Sequence, residues 1–202
     1  MTGYVLVNLK EMIKEIGEEK TKNILSNFSC PLNKDVEYFL SDKAIEFAKQ
    51  GLAATHLVFT SYKGDTVLIG YFALTVKTFF IGQNTLNKGL RRRINKFAQR
   101  NDDMKGYQIT APLIAQLGKS FLNGYCKLIS GDELLKMACD KIYQFQQDLG
   151  GKVIYLECED EEKLLEFYIT NGFIPFTKRE LDKHEQADTN CKYLMQLIKY
   201  VS

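Results

Sequence analysis

The chain has 202 residues, of which 45% are hydrophobic and 26% are charged, and its formal net charge is +2. These values are ordinary for a soluble globular protein, and the length suits a single domain over residues 1–202. A nearly neutral chain has no global attraction to nucleic acid or to a membrane, so any such interaction must be local.

The N-terminal quarter predicts one short strand and several helices. A strand over residues 4–9 precedes a helix whose apolar positions fall on one face and which Gly17 splits. Asn33 is a suitable N-cap for the following turn, which carries Asp35 and Glu37. A further helix then runs to Gly51, which closes it.

A hairpin comes next. Strands over residues 54–60 and 66–78 are predicted to pair across the turn Lys63-Gly64-Asp65. The second strand is long, apolar and aromatic, so we expect it at the centre of a sheet that is at least partly antiparallel.

Residues 85–100 predict a basic helix. Its apolar positions recur at spacings of four, four and three, and they are Leu86, Leu90, Ile94 and Phe97. Its other face carries cations and no acid: Lys88, Arg91, Arg92, Arg93, Lys96 and Arg100. The ordinary interpretation is a solvated charged face. The functional interpretation is a surface for an acidic partner, such as an RNA backbone, a phosphate-bearing substrate or an antitoxin-like protein.

The next segment joins a strand to a helix. A strand over residues 107–122 contains Pro112, which marks an edge, a bulge or the opening of the strand. The pattern Ser130-Gly-Asp-Glu133 is a capping box and predicts a helix N-terminus. The apolar stripe of this helix comprises Leu134, Leu135, Ala138, Ile142, Phe145 and Leu149.

The C-terminal quarter predicts strand, helix, strand and strand. After a strand over residues 152–158, Asp160 is expected to cap a short helix that ends at Gly172. A strand over residues 173–176 and a polar connection over 178–190 lead to a last strand over 191–201. In that strand we expect Tyr193, Met195 and Leu197 to alternate against Lys192 and Gln196.

Ser130 and Gly131 stand where a helix begins after an open loop. The first amide groups of a helix lack internal partners, and together with the helix dipole they favour an anion. Lys119 and Lys127 add positive charge nearby in sequence, whereas the acids that follow Gly131 oppose a diphosphate. The alternative is an ordinary capped helix, in which the acids of the first turn interact favourably with the positive end of the helix dipole.

Tyr168 is a candidate catalytic residue. A tyrosine on an apolar helical stripe is most often a packed core residue. This one ends a helix one crossover after the open strand, and its hydroxyl suits a general acid that protonates a thiolate leaving group.

Other kinds of site are disfavoured. The cysteines form no paired motif, which argues against a disulfide framework or a zinc site and for reduced thiols in a cytoplasm: Cys30, Cys126, Cys139, Cys158 and Cys191. His56 and His184 have no carboxylate or cysteine at ligand spacing, so no metal site is expected. No signal segment is visible, and the longest apolar stretch, residues 66–76, is far shorter than the ~20 residues of a membrane helix.

Four stretches, in this order, resemble the core of the GNAT N-acetyltransferases. They are similar to strand three, strand four, the start of the acyl-CoA-binding helix and the Phe-Tyr-x-x-x-Gly-Phe signature of that family: Gly70-Tyr-Phe-Ala-Leu74, Leu117-Gly-Lys-Ser-Phe-Leu122, Ser130-Gly-Asp-Glu-Leu-Leu135 and Phe167-Tyr-Ile-Thr-Asn-Gly-Phe173. The resemblance spans about residues 36–201. One departure stands in the loop, where the family has a glycine two residues before Gly131 and this chain has Ile129.

The resemblance implies an α+β, GNAT-like acyl-CoA N-acyltransferase fold: a mixed, mostly antiparallel central sheet flanked by helices, with strands four and five splayed. It implies that acetyl-CoA is the co-substrate and that its pantetheine follows the strand end. The cofactor-binding residues implied are Lys119, Ser120, Phe121, Leu122, Lys127, Ser130 and Gly131.

The resemblance also implies direct attack of a primary amine on the thioester, with Tyr168 as general acid. The base is left open among Glu157, Asp35, Glu37 and water. The segment Asp35-Val-Glu-Tyr-Phe-Leu40, together with the strand Gly70-Tyr-Phe-Ala-Leu74, looks like the toxin-type branch, whose members acetylate aminoacyl-tRNA. The acceptor is left open between an aminoacyl-tRNA and a small amine.

The altered loop motivates an alternative function. In this alternative the chain is a non-catalytic module of the same fold that contacts RNA or an acidic partner through the basic helix, at Arg91, Arg92 and Arg93. An exposed final strand would suit pairing of two subunits, so a homodimer is the default expectation.

Overall fold

A central β-sheet carries the helices in the computed structural model, which describes residues 3–86, 88–181 and 191–201. The strands are β1 (Val5–Asn8), β2 (Ala54–Tyr62), β3 (Asp65–Gly82), β4 (Gln99–Asn101), β5 (Gly106–Lys119), β6 (Val153–Glu159), β7 (Ile174–Glu180) and β8 (Tyr193–Tyr200). The helices are α1 (Leu9–Ile16), α2 (Glu18–Leu25), α3 (Lys34–Tyr38), α4 (Ala44–Gln50), α5 (Lys88–Ile94), α6 (Gly131–Leu149) and α7 (Glu162–Thr170).

The strand order among the described residues is β1-β2-β3-β5-β6-β8-β7, and β4 pairs with β5. The pairs β1–β2, β2–β3, β4–β5, β6–β8 and β7–β8 are antiparallel. The predicted α+β fold, with a mostly antiparallel sheet flanked by helices, is therefore confirmed. None of the helices in the described part of the chain has the length and apolar character needed to cross a bilayer.

The chain divides into two compact units. The first comprises Met1–Thr75 and Ile114–Lys141, and the second comprises Val76–Leu113 and Ile142–Ser202. Each unit has its own apolar cluster and is described by itself below. The single domain over residues 1–202 stays a prediction.

Local signals explain the helices of the first unit. The Asn8 side chain caps α1 by accepting a hydrogen bond from the amide of Lys10 at 2.9 Å, and Gly17 separates α1 from α2 as predicted. Asn33 caps α3, since its Oδ1 accepts from the amide of Val36 at 3.1 Å. A π-helical turn, Phe39–Lys43, joins α3 to α4, which ends at Gly51.

Strands β2 and β3 form the predicted hairpin, with Tyr62 opposite Asp65 and Ala54 opposite Leu74. Tyr71 of β3 is fully buried in the apolar cluster of the first unit, where its ring stacks on Phe39 at 6.2 Å between centroids. Its hydroxyl donates to the Val36 carbonyl at 2.6 Å. This bond fixes α3 on the sheet.

Aromatic packing dominates the second unit. The Phe79 and Tyr155 rings stack 4.0 Å apart, and Ile198 of β8 lies in the same buried cluster. The residues that attach α5 to this cluster are Leu86, Leu90 and Ile94, with Phe97 packed at its edge. This arrangement confirms the predicted apolar stripe of the basic segment.

Two helix predictions need correction. Helix α5 covers seven residues, Lys88–Ile94, rather than the predicted 85–100, because Gln99–Asn101 pair with β5 as strand β4. Glu161, not Asp160, occupies the N-cap of α7. The Asp160 carboxylate instead accepts a hydrogen bond from Lys178 of β7.

The stripe of α6 also departs from the prediction at its C-terminal end. Phe145 and Leu149 are 46% and 72% exposed, whereas Cys139 and Gln146 are buried. The buried positions continue at steps of four through Ile142 to Gln146. Gln146 is accommodated because its side-chain amide donates to the Val153 carbonyl at 2.9 Å.

The last strand differs most from its prediction. Strand β8 lies between β6 and β7, so it is not an exposed edge through which two subunits would pair. Its buried residues are Gln196, Leu197 and Ile198, and Tyr193 is 41% exposed. Gln196 was predicted to lie on the face opposite the apolar residues. It is buried because its side-chain amide donates to Tyr155 and Glu157. Residues 182–190 of the predicted polar connection lie outside the described residues.

Candidate active site

The loop before α6 is a turn of 3-10 helix, Leu122–Lys127, in which Asn123 and Gly124 have positive φ angles of 50° and 76°. Lys127 and Ser130 are exposed, and the Lys119 ammonium donates to the Cys126 carbonyl at 3.1 Å. Lys119 therefore braces the loop with one of its three N–H groups.

The start of α6 is the predicted capping box. The Glu133 amide donates to Ser130 Oγ at 3.1 Å, and the Ser130 amide donates to Glu133 Oε2 at 2.8 Å. Tyr4 donates from its hydroxyl to Glu133 Oε1 at 3.2 Å. The backbone bond from Ser130, followed by its hydroxyl, lowers the pKa of Glu133. In this conformation the Ser130 amide is therefore occupied by a carboxylate.

Ile129 stands where the related loop has a glycine, and its side chain is 2% exposed. The substitution therefore points a side chain into the interior rather than into the solvent in front of α6. A side chain buried in this way does not itself cover the amides of the first turn.

The end of β5 already uses two of the amides expected to face the pantetheine. The Ser120 amide donates to the Ile69 carbonyl at 2.8 Å, and the Phe121 amide donates to the Ser29 carbonyl at 2.7 Å. The Ser120 hydroxyl oxygen is buried and has no hydrogen-bond partner among the residues that the structure describes. Because these two amides are already bonded, a pantetheine at this strand end must bind other groups of the segment or displace those bonds.

Tyr168 lies at the C-terminal end of α7, in the second unit. Its side chain is 9% exposed, and its ring packs edge-on against Phe173 at 5.8 Å between centroids. Burial, with a smaller effect from Cys158, raises the pKa of the Tyr168 hydroxyl well above its usual value. Gly172, at φ 84°, makes the turn after α7, where the Phe173 amide donates to the Tyr168 carbonyl at 3.0 Å.

No described residue forms a hydrogen bond with the Tyr168 hydroxyl in the structure. With its raised pKa, this phenol stays protonated at neutral pH. Its O–H group is therefore available to donate a proton, as a general acid requires.

Glu157 of β6 is the centre of a dense polar network, the Glu157 cluster, which comprises Lys77, Tyr155, Glu157, Arg179 and Gln196. Arg179 donates to both carboxylate oxygens at 2.9 Å, and Lys77 donates to Oε2 at 2.9 Å. The Tyr155 hydroxyl and the Gln196 amide donate to Oε1 at 2.5 Å and 3.0 Å. Burial opposes ionisation of Glu157, but these bonds outweigh it and lower its pKa to about 2. A carboxylate held in this way is a poor proton acceptor.

Glu37, another candidate base, is also occupied. Its carboxylate accepts from the Cys30 amide at 2.6 Å, from Lys34 at 3.0 Å and from the Ser29 hydroxyl at 3.1 Å. The Cys30 amide is the largest of the effects that lower its pKa. Asp35 differs, because the described residues give it one hydrogen bond, from Gln116 Nε2 to Oδ2 at 2.9 Å.

The three consecutive arginines of α5 have different surroundings. Arg91 is half-buried, and its Nη2 donates to the Gln83 carbonyl at 3.0 Å. The Arg93 guanidinium lies 5.4 Å from the centre of the Tyr200 ring. Arg92 and Arg93 are exposed. This helix therefore presents positive charge to solvent next to anchoring contacts.

Metal ligation finds no support in the described part of the chain, where no group of three or more His, Cys, Asp or Glu residues could hold an ion. His56 is buried and stacks on Phe72 at 5.1 Å. His184 lies outside the described residues. All five cysteines are free thiols.

The structure thus brings part of the predicted site together in each unit. The first unit holds the residues predicted to bind acetyl-CoA, on one segment from Lys119 to Gly131, and the second holds Tyr168 and the three arginines. Sequence analysis missed Gln116, Lys77 and Arg179. Nothing in their local patterns distinguishes them, because their partners are 81, 80 and 22 residues away along the chain.

No protein-family model matches the sequence, and no curated protein is found to be similar to it. Solved structures are similar over nearly the whole chain. AtaT complexed with acetyl-methionyl-tRNAfMet is 16% identical, with a TM-score of 0.62, and the match covers 96% of this chain and 94% of that chain.

Two further structures give the same result. A tyrosine-to-phenylalanine mutant of KacT is 13% identical, with a TM-score of 0.63 and coverage of 95% and 93%. The corresponding kind of mutant of the AtaT toxin, bound to the C-terminus of the antitoxin AtaR and acetyl-CoA, is 15% identical, with a TM-score of 0.57 and coverage of 98% and 92%. The chain therefore has the fold of the AtaT and KacT toxins, which is the GNAT-like fold that its motifs predict.

Proposed function

We propose that this chain is an acetyl-CoA-dependent N-acetyltransferase whose acceptor is the amino group of an aminoacyl-tRNA. The observation that carries the proposal is the likeness, over 96% of the chain, to a toxin complexed with an acetylated aminoacyl-tRNA. A related structure of the same fold contains acetyl-CoA. Tyr168, whose side chain is 9% exposed, supplies the protonated hydroxyl that such a reaction needs.

The reaction is direct transfer. The amine nitrogen attacks the carbonyl carbon of the thioester, the new C–N bond forms as the C–S bond breaks, and the departing thiolate takes the proton of the Tyr168 hydroxyl. The Tyr168 hydroxyl is protonated at neutral pH, as a general acid must be before the thiolate develops. The proton lost by the amine passes to a carboxylate or to water.

Acetyl-CoA is proposed to bind along the segment Lys119–Gly131. Lys127 is exposed beside the first turn of α6, where amide groups and the helix dipole favour a phosphate. The Ser130 amide must exchange its bond to Glu133 for one to the ligand. The buried Ser120 hydroxyl, which has no partner in the described part of the chain, gives the strand end a polar group that a ligand can use.

The exposed positive charge of α5 is proposed to contact the RNA backbone, chiefly through Arg92 and Arg93. Neighbours of this fold include toxins bound to an antitoxin, so an acidic protein is the alternative partner for the same charges. A homodimer stays a default expectation, and the interior position of β8 removes the last strand as its interface.

The experiment begins with calorimetric titration of the purified chain with acetyl-CoA, followed by acetylation of bulk aminoacyl-tRNA with radiolabelled acetyl-CoA. We expect micromolar binding and transfer of label to the aminoacyl group. Tyr168→Phe should retain binding and lose about 100-fold or more in turnover, the range of a general acid. Tyr143→Phe, at a tyrosine of α6 that is 42% exposed, is the matched control and should keep full activity.

Two outcomes would contradict the proposal. Full turnover in Tyr168→Phe would remove the general acid but leave the reaction. Absence of acetyl-CoA binding at millimolar ligand would favour the non-catalytic module. In that case RNA binding should fall with salt and weaken when Arg91, Arg92 and Arg93 are replaced.

A further inference from the structure

We propose that Asp35 is the carboxylate that receives the amino group of the acceptor and that Gln116 positions it. This inference rests on the proposed function and adds to it the residue that recognises the amine. It is drawn within the first unit alone, from contacts of α3 with β5.

The three carboxylates predicted as candidate bases differ in the number of hydrogen bonds that they accept. Glu157 accepts five hydrogen bonds, two of them from Arg179 and one from Lys77. Glu37 accepts three, including one from a backbone amide. Each of these carboxylates already has donors for both oxygens, so an incoming amine would have to displace a bond that holds the fold.

Asp35 differs from the other two acids because only one of its carboxylate oxygens accepts a hydrogen bond from the described residues. Gln116 Nε2 binds Oδ2, whereas Oδ1 accepts no hydrogen bond from a residue that the structure describes. Asp35 is half-buried, so part of the residue is accessible to solvent. One oxygen is thus held in place and the other is open.

Asp35 is held in a fixed position because the helix that carries it, α3, is anchored to the sheet. Its neighbour Val36 is tied to the sheet by the Tyr71 hydroxyl at 2.6 Å. Beneath it, Gly118 leaves room for α3, because a Cβ on Gly118 would lie 2.3 Å from Val36 Cγ1. The Ser29 carbonyl in the loop before α3 accepts a hydrogen bond from the Phe121 amide at 2.7 Å. A carboxylate on such a support presents its free oxygen in one direction.

Gln116 lies in β5, on the N-terminal side of the segment proposed to bind the pantetheine. In the proposed binding mode the phosphates lie at Ser130 and Gly131, and the pantetheine would follow Ser120–Leu122 back along β5. The thioester therefore points toward the residues that precede Ser120. Gln116 is four residues before Ser120, about 13 Å along an extended strand, so it marks the end of β5 at which the acetyl group is expected.

A carboxylate at that end gives the site a preference for an amine. A protonated amino group, or the partly charged nitrogen that forms during attack, makes a charge-assisted hydrogen bond to a carboxylate, and an α-hydroxyl group makes a weaker one. The residue would therefore discriminate between α-amino and α-hydroxy acceptors that are otherwise identical.

The test uses two probes, an aminoacyl-adenosine with a stable amide link and its α-hydroxy counterpart, as inhibitors of acetyl transfer to bulk aminoacyl-tRNA. We expect the wild-type chain to bind the amine about 10- to 100-fold more tightly. Asp35→Asn should lose this preference, and Gln116→Met should lose part of it, while both keep wild-type affinity for acetyl-CoA. Asp42→Asn, at an exposed acid of the turn after α3, should change neither quantity.

The ratio of the two inhibition constants separates recognition from general damage, because loss of folded protein weakens both probes equally. A preference for the amine that survives in Asp35→Asn would overturn the proposal, and so would a wild-type chain that binds both probes equally. Failure of the proposed function has a different signature, since the wild-type chain would then neither bind acetyl-CoA nor transfer label.

Discussion

The Glu157 cluster and the Asp35–Gln116 pair are each built around one carboxylate, and they differ in how many donors surround it. Glu157 has a side chain that is 10% exposed and draws donors from β3, β6, β7 and β8. Asp35 is half-buried and has one donor, from β5. Glu157 lies in a mostly buried strand, whereas Asp35 lies in a short helix with exposed residues.

The difference separates two roles that a buried or half-buried acid can have. A carboxylate whose partners are all inside the protein stabilises the folded state, because leaving those cations unpaired is costly. A carboxylate with an unoccupied oxygen contributes little to folding and is available to a ligand. Stability and activity should therefore respond in opposite ways to mutation at the two positions.

The largest expected effect on stability is that of Glu157→Gln. This change removes the negative charge that Arg179 and Lys77 both contact, and we expect a loss of about 3 kcal/mol in the free energy of unfolding, the lower end for a broken buried pair because both cations are partly exposed. Asp35→Asn should cost less than about 1 kcal/mol. Urea unfolding at pH 7, with the slope unchanged, measures both. Equal losses at the two sites would remove the distinction.

The pH dependence of the same variant tests the cause. Because the pKa of Glu157 is lowered from 4.5 to about 2, its contribution is present above pH 4.5 and is lost as the pH falls through 2. The stability difference between wild type and Glu157→Gln should therefore be constant from pH 7 to pH 5 and shrink below pH 4.5. A difference that shrinks already near neutral pH would point to another group.

His56 sets a second acid-sensitive window, which wild type and Glu157→Gln share. Burial, with a smaller effect from the charge of Lys141, lowers the pKa of His56 from 6.5 to about 4. The unfolded chain takes up this proton at a higher pH than the folded chain, so stability decreases as the pH falls from 6.5 to 4, by about 3 kcal/mol in total. His56→Phe should flatten stability in this window, as urea midpoints at pH 7 and pH 5 would reveal. An unchanged slope in the variant would assign the window elsewhere.

Sequence patterns predicted what depends on neighbours along the chain. The Asn33 cap, the Ser130–Glu133 capping box and the hairpin turn after Tyr62 are local, and each is found as predicted. The fold itself was predicted from the order of the four motifs that resemble the GNAT N-acetyltransferases.

What the patterns could not predict depends on distant partners. Gln196 is buried because Tyr155 and Glu157 lie opposite it, 41 and 39 residues away. Phe145 and Leu149 are exposed because the buried face of α6 continues through Gln146, whose partner is on β6. The availability of Asp35 rather than Glu157 follows from the same kind of long-range contact, which no spacing in the sequence reports.

The smallest expected effect concerns Glu133, the acid that occupies the proposed phosphate site in the first unit. Its carboxylate accepts the Ser130 amide at 2.8 Å, so acetyl-CoA must compete with it and with its charge for the first turn of α6. Glu133→Gln removes the charge and keeps a side chain of the same length. Calorimetric titration at low salt should then show acetyl-CoA binding about 2- to 5-fold more tightly, and Lys136→Gln, on the same helix and exposed, should not tighten it. Weaker binding in Glu133→Gln would mean that the cap orders the loop for the ligand instead of competing with it, and Glu133 would then belong with Glu157 among the carboxylates that hold the structure.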